Sequence, residues 1–230
     1  MIAEIYSKIT KHNSNLSEIS EDELTGNFFG HLRYRPFNEG LKPILKNAVF
    51  PSKIGTLIDN VDVGFWNNNI EFWPYDKEGE LDAYIEFDHL AMGIEVKYTS
   101  GLSSDDNVDY SLSDERELEE ESRNQLQRES RIITRRAGNK AKILLLVGSA
   151  MACADIYTNI TKRKLFLSSD VTFGYVTWQS LLRELLKLKF DNPFSSLIIS
   201  DLIALLARKG FDQFQNMELD IPCSVSCDEH

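Results

Sequence analysis

The sequence predicts an α/β fold in which a mixed central β-sheet is flanked by helices. Three observations predict it. Residues 81–98 alternate between apolar and polar positions in two runs, as half-buried strands do. Residues 142–148, KILLLVG, form the unbroken apolar run of a strand covered on both faces. The segments around them carry apolar residues three and four apart, the spacing of amphipathic helices. At 230 residues and 42% hydrophobic composition, the chain can bury one substantial core. It has no internal repeat, low-complexity tract or linker-like stretch, so one domain over 1–230 is expected, with its core at about 20–215. An acidic loop and helix start at 99–122 and a polar tail at 216–230 would lie beside that core.

Residues 1–19 hold a short apolar pattern (Ile2, Ile5, Ile9) that suggests a helix. Ser20 and Glu23 then make a capping box, with the hydroxyl accepting from the Glu23 N–H and the carboxylate reaching back to the Ser20 N–H. The helix it starts presents Leu24, Phe28 and Leu32 at intervals of four, and Glu21 falls on their face. In the first strand run Leu81, Ala83, Ile85 and Phe87 oppose Asp82, Tyr84, Glu86 and Asp88. In the second, Leu90, Met92, Ile94, Val96 and Tyr98 oppose Ala91, Gly93, Glu95 and Lys97. A helix over 114–136 begins in acid and ends in base, which suits its dipole. Val171 to Trp178 reads as a strand, followed by an amphipathic helix through Leu181, Leu182, Leu185 and Leu186. The last helix spans about Ser195 to Arg208 and ends at Gly210, a suitable cap residue.

The three cysteines, Cys153, Cys223 and Cys227, argue against a disulfide framework and for reduced thiols. Cys223, Cys227 and His230 on a polar tail are too few for a structural zinc pattern. With no long apolar span and no leader-like N-terminus, a cytoplasmic protein without a membrane partner is expected.

The net charge of −11 conceals two opposite regions. Nine acids and the single base Arg116 leave 102–122 at −8, whereas Arg131, Arg135, Arg136, Lys140 and Lys142 give 131–142 a charge of +5. Arg131, Arg135, Arg136 and Lys140 are therefore the candidate phosphate contacts, since Lys and Arg supply most nucleic-acid affinity.

If the chain reverses at Asp88 and His89, facing residues have numbers summing to 177, and Asp82 lies opposite Glu95. Two carboxylates would then converge within roughly 5 Å at Cβ, a repulsion that a divalent cation removes. Lys97, two residues beyond Glu95, shares that face at about 7 Å along the strand. Oxygen ligands suit Mg²⁺ or Mn²⁺, and an ammonium beside them can orient water and offset charge developing on a phosphate. The same composition also suits the exposed face of a surface hairpin.

GELDAYIEFDHLAMGIEVKYTSG resembles the core motif of the PD-(D/E)XK, or restriction-endonuclease-like, nucleases, with Asp82 at the motif aspartate and Glu95-Val96-Lys97 at the (D/E)XK element. Leu81 stands where the family name has proline. EDELTGNFFGHLR resembles the N-terminal helix of such enzymes, which often adds a carboxylate; Glu21 matches best and Asp22 next. RNQLQRES resembles the helix after the core motif, where a glutamine often nears the site, and Gln125 fits. VTWQSLLRELL and LLARKGFDQF resemble closing elements of several families in this superfamily. The resemblance implies a restriction-endonuclease-like core and Mg²⁺-dependent (or Mn²⁺-dependent) hydrolysis of DNA. Asp82, Glu95 and Val96 would be at the metal, with Glu21, Lys97 and Gln125 completing the catalytic set. It also implies restriction, repair or defence roles, in which a homodimer or the partner proteins of a multi-component system are common. The alternative is a non-catalytic nucleic-acid-binding or scaffolding module that kept the fold, against which the intact Asp82, Glu95 and Lys97 argue.

Overall fold

Both strand runs and the apolar run take their places in one five-stranded sheet. The computed structural model describes residues 21–98, 125–162, 167–190 and 192–212. Ser20 of the capping box, the helix at 1–19, the acidic segment 102–122 and the tail bearing Cys223, Cys227 and His230 lie outside the described residues.

Helix α1 (Glu21–Leu32) opens with Glu21, Asp22 and Glu23 in its first turn, the charge its dipole favours, and buries Leu24, Phe28 and Leu32. A 3₁₀ turn (Phe37–Glu39), the short α2 (Leu41–Ile44), a second 3₁₀ turn (Leu45–Asn47) and α3 (Ser52–Asp59) follow. Then come β1 (Ile70–Phe72), β2 (Tyr75–Asp76), β3 (Gly79–Glu80), β4 (Ala83–Glu86) and β5 (Leu90–Val96). The second half holds α4 (Gln125–Ala137), β6 (Ala141–Gly148), α5 (Ala150–Lys162), β7 (Val171–Thr177), α6 (Trp178–Lys187) and α7 (Pro193–Arg208).

The sheet runs β1-β4-β5-β6-β7, and β2 and β3 pair apart from it. The pairings of β1 with β4 and β4 with β5 are antiparallel, and those of β5 with β6 and β6 with β7 are parallel, so the sheet is mixed. Parallel neighbours need crossovers, which α4 and α5 supply.

Helices cover both faces. Ile143, Leu145 and Val147 of β6 join the cluster containing Leu24, Phe28, Trp178, Leu182 and Leu202, from α1, α6 and α7. Leu144 and Leu146 join Leu126, Ile133, Cys153 and Ile160, from α4 and α5. The unbroken apolar run thus alternates between two dry layers. Trp178 and Phe211 are core, stacked with ring centroids 5.6 Å apart. Gly210, at φ +83°, ends α7: its N–H reaches the Ala207 carbonyl and the Phe211 N–H the Leu206 carbonyl. This is the paired bonding of a Schellman cap.

The chain departs from the expected elements near residue 81. β4 begins at Ala83, and Leu81 packs with Tyr84 on the α4 side instead of with Ala83. Glu80 pairs with Tyr75 in the separate hairpin. Cys153 is buried and free, and burial pushes its thiol pKa up to about 12, leaving it neutral. No helix among the described residues is long and apolar enough to cross a membrane.

Candidate active site

Strand pairing brings the first two acids together. Ala83 faces Ile94 and Tyr84 faces Gly93, the register in which residue numbers sum to 177, and it carries Asp82 opposite Glu95. Glu95 and Gly93 point to the α4 layer, where a Cβ on Gly93 would lie 2.4 Å from Ile133 Cδ1. Glycine at 93 lets α4 approach the strand closely. The polar face of the hairpin is therefore covered by a helix, which excludes the surface-hairpin reading: Glu95 is 2% and Lys97 4% exposed.

At the end of β5 the sheet loses its β4 neighbour, and two carboxylates take over its hydrogen bonds. Asp82 Oδ2 accepts the Val96 N–H at 2.7 Å, and Glu21 Oε1 accepts the Tyr98 N–H at 2.9 Å. The N–H and C=O of one strand residue point to the same side, so the Val96 carbonyl is directed toward the edge that Asp82 occupies. On the other edge, the Lys97 N–H donates to the Val147 carbonyl at 2.7 Å and Trp178 Nε1 donates to the Lys97 carbonyl at 3.0 Å. Lys97 is thus held by its backbone while its side chain crosses the site.

Lys97 Nζ lies 2.7 Å from Glu95 Oε1 and 3.6 Å from Glu21 Oε2. Gln125 Nε2 donates to the same Glu95 oxygen at 2.6 Å. Glu21, Asp82, Glu95, Lys97 and Gln125, from α1, the approach to β4, β5 and α4, are thereby gathered at one end of the sheet. Asp22 is near enough to act electrostatically on Asp82.

The electrostatics are those of too many acids in too little water. Burial, and then repulsion from Glu95, holds the Asp82 carboxyl well above its usual pKa. Burial, and then Glu129, does the same to Glu95. Burial works against the Lys97 ammonium, but the Glu95 carboxylate outweighs it and keeps lysine charged. Asp82 and Glu21 keep partial exposure, so the cluster opens to solvent on their side.

Glu129, one turn beyond Gln125 on α4, was not among the expected residues. It is 2% exposed, and burial, with repulsion from Asp82 adding to it, raises its pKa to about 8. It is close enough to Glu95 and Gln125 to feel both, yet neither of its oxygens makes a hydrogen bond. A readable signal existed: Glu129 stands in the stripe of Leu126 and Ile133, where a carboxylate is out of place.

Comparison with family models, curated proteins and solved structures finds no match to this chain.

Among the described residues, no group of three or more His, Cys, Asp or Glu side chains is arranged to hold a metal ion. Mg²⁺ asks for less, since it is commonly held by one or two carboxylates and completed by water and phosphate oxygens. Asp82, Glu95 and the Val96 carbonyl would suit that demand, and a cation would relieve the repulsion between the two acids.

The basic window is differently placed. Arg131 pairs with Glu78 at 2.5 Å, Arg135 with Asp76 at 2.5 Å and with Glu78, Arg136 with Glu71, Lys140 with Glu86 at 2.8 Å and Lys142 with Asp170 at 2.9 Å. The +5 of the sequence window meets five acids brought by β1, the β2–β3 hairpin, β4 and the approach to β7. A phosphate bound there would have to displace a carboxylate from each base. Arg35 is buried, donating to Ser195 and Glu39, with its guanidinium 4.2 Å from the Phe190 ring centroid.

Proposed function

We propose that the protein is a nuclease that hydrolyses DNA phosphodiester bonds with Mg²⁺ or Mn²⁺, on a restriction-endonuclease-like core of the PD-(D/E)XK kind. The observation that carries the reading is the convergence of Asp82, Glu95 and Lys97 in the register their sequence spacing demands, in a cluster of buried acids that calls for a cation. Asp82, Glu95 and the Val96 carbonyl would hold the ion. When bound, it supplies a Lewis acid toward the phosphate and acidifies a water.

The chain's own groups do the rest. The Lys97 ammonium has three donors and spends one on Glu95, so it can hold a water or a phosphate oxygen at the open side. Gln125 fixes the Glu95 carboxylate by its hydrogen bond, and Glu21 fixes the end of β5 through Tyr98 while balancing Lys97. Phosphate contacts by Arg131, Arg135, Arg136 or Lys140 would require exchange of their present partners. A homodimer would place two such sites on a duplex, and the exposed Phe194 and Leu197 of α7 are apolar surface available to it.

The test is incubation of the purified protein with supercoiled, linear double-stranded, single-stranded and branched DNA, in Mg²⁺, Mn²⁺ or EDTA. Cleavage that requires the ion is expected. Absence of cleavage of every substrate, with DNA binding retained, would favour the alternative of a non-catalytic binding or scaffolding module.

A further inference from the structure

We propose that Glu129 is a further ligand of the divalent-cation centre, holding a cation together with Glu95 from the α4 side. This rests on the reading of the cluster as a cation-dependent hydrolytic site and adds a residue to it.

The Glu129 carboxyl is buried, and neither Oε1 nor Oε2 has a hydrogen-bond partner. A buried polar group is ordinarily satisfied, and a buried carboxylate without a partner is among the costlier arrangements a fold can hold. Lys97 favours the Glu129 carboxylate electrostatically, but its ammonium lies against Glu95 at 2.7 Å and near Glu21 at 3.6 Å. Gln125, one turn earlier on the same helix, spends its amide on Glu95 Oε1 at 2.6 Å. The helix therefore delivers two side chains to the Glu95 carboxylate: Gln125 donates to it, and Glu129 brings a second carboxyl close enough to act on it.

The position is built into the fold. Ile133 is seated on Gly93, two residues before Glu95 on the same face of β5, so the spacing between helix and strand at Glu129 is set by close packing. Two carboxyls from facing elements, the second without a donor on either oxygen, are a donor pair for a hard divalent cation whose remaining positions are filled by water. A merely structural acid would be expected to find a donor. This one sits beside Glu95 with no donor on either oxygen.

The test is Mn²⁺ titration of the full-length protein, read by the electron paramagnetic resonance signal of free Mn²⁺ and by the thermal midpoint with and without the ion. Wild type should bind Mn²⁺ and gain stability from it. Glu129→Gln should bind about tenfold more weakly or worse, with a metal-free midpoint equal to or above wild type because a buried acid without a hydrogen-bond donor is replaced by a neutral amide. Glu129→Asp, which keeps the carboxylate but draws it back by one methylene, should fall between. If Glu129→Gln matches wild type in Mn²⁺ affinity and in its stability gain, Glu129 is a structural acid and the inference fails while the site reading stands. If wild type binds no Mn²⁺ at millimolar concentration, the cation reading itself fails.

Discussion

The Asp82 carboxylate accepts the Val96 N–H at 2.7 Å, occupying the place that β4 vacates beside the last residue of β5. Glu21 does the same for Tyr98 at 2.9 Å. Each acid is aimed by a backbone donor, so its position does not depend on a flexible side chain finding its own rotamer.

Asp82→Asn keeps an acceptor for the Val96 N–H and removes only the charge. Its stability should stay within about 1 kcal/mol of wild type, while Mn²⁺ affinity and cleavage fall sharply. Asp82→Leu orphans the donor and should cost a further ~1–3 kcal/mol. Chemical denaturation alongside metal titration separates the two effects; equal stability of both variants would remove the capping role.

Gly93→Ala places a methyl group 2.4 Å from Ile133 Cδ1 and 2.8 Å from its Cγ1. Overpacking of this kind costs about 1–3 kcal/mol. Because α4 must retreat, Gln125 and Glu129 should move away from Glu95 and activity should fall with stability. Adding Ile133→Ala removes both obstructing atoms and should restore part of each. Strictly additive losses in the double variant would show that the two positions do not meet.

The register of the hairpin was legible because polar and apolar residues alternate through 81–98 and because a turn at Asp88 and His89 admits one pairing. That pairing is observed from Ala83 to Glu86. Helical spacing placed Glu21 on the core face of its helix, but the approach of Glu21 and Gln125 to β5 was an expectation from family resemblance alone, since nothing in their local spacing directs a helix toward a strand far along the chain. Glu129 lies on a helix dense in charge, where one more acid does not stand out without the strand it packs against. The basic window misled for a related reason: its partners Glu71, Asp76, Glu78, Glu86 and Asp170 are remote in sequence, and local charge counts cannot see them. Strands of two or three residues, such as β1 to β3, are too short for a period to register, and α5 went unread.

The β2–β3 hairpin leads directly into Asp82 and is tied to α4 by charge. Against the burial that raises them, Arg135 and Arg131 hold the Asp76 and Glu78 carboxyls below their usual pKa. Folded-state values below unfolded ones mean that this stabilisation is present above the unfolded carboxylate range and is lost as pH falls through the folded values. Wild type should therefore lose more stability between pH 5 and pH 3 than Glu78→Gln does, by about 1 kcal/mol or less because these pairs are partly solvated. Urea midpoints at the two pH values provide the check, and equal losses would remove the hairpin tie from the account.

Arg135→Ala with Arg136→Ala distinguishes paired from phosphate-binding guanidiniums. Two free phosphate contacts would lower the slope of log K against log salt by about 2. With both arginines engaged by Asp76, Glu78 and Glu71, the change should be under about 1, accompanied by a lower thermal midpoint. Fluorescence anisotropy over a salt series measures it, and a full drop of about 2 would return this face to the DNA path.

Cleavage of labelled DNA in Mg²⁺ by wild type and Lys97→Met isolates the role of the ammonium at the site. The variant keeps the length of the side chain but not its ammonium, so Mn²⁺ binding and the circular dichroism spectrum are recorded on the same preparations to establish that site and fold persist. Wild type should cleave in a metal-dependent way and the variant should lose about 10²-fold or more, the scale on which a group stabilising transition-state charge acts. Equal cleavage by the two proteins, with metal binding intact in both, would contradict that role.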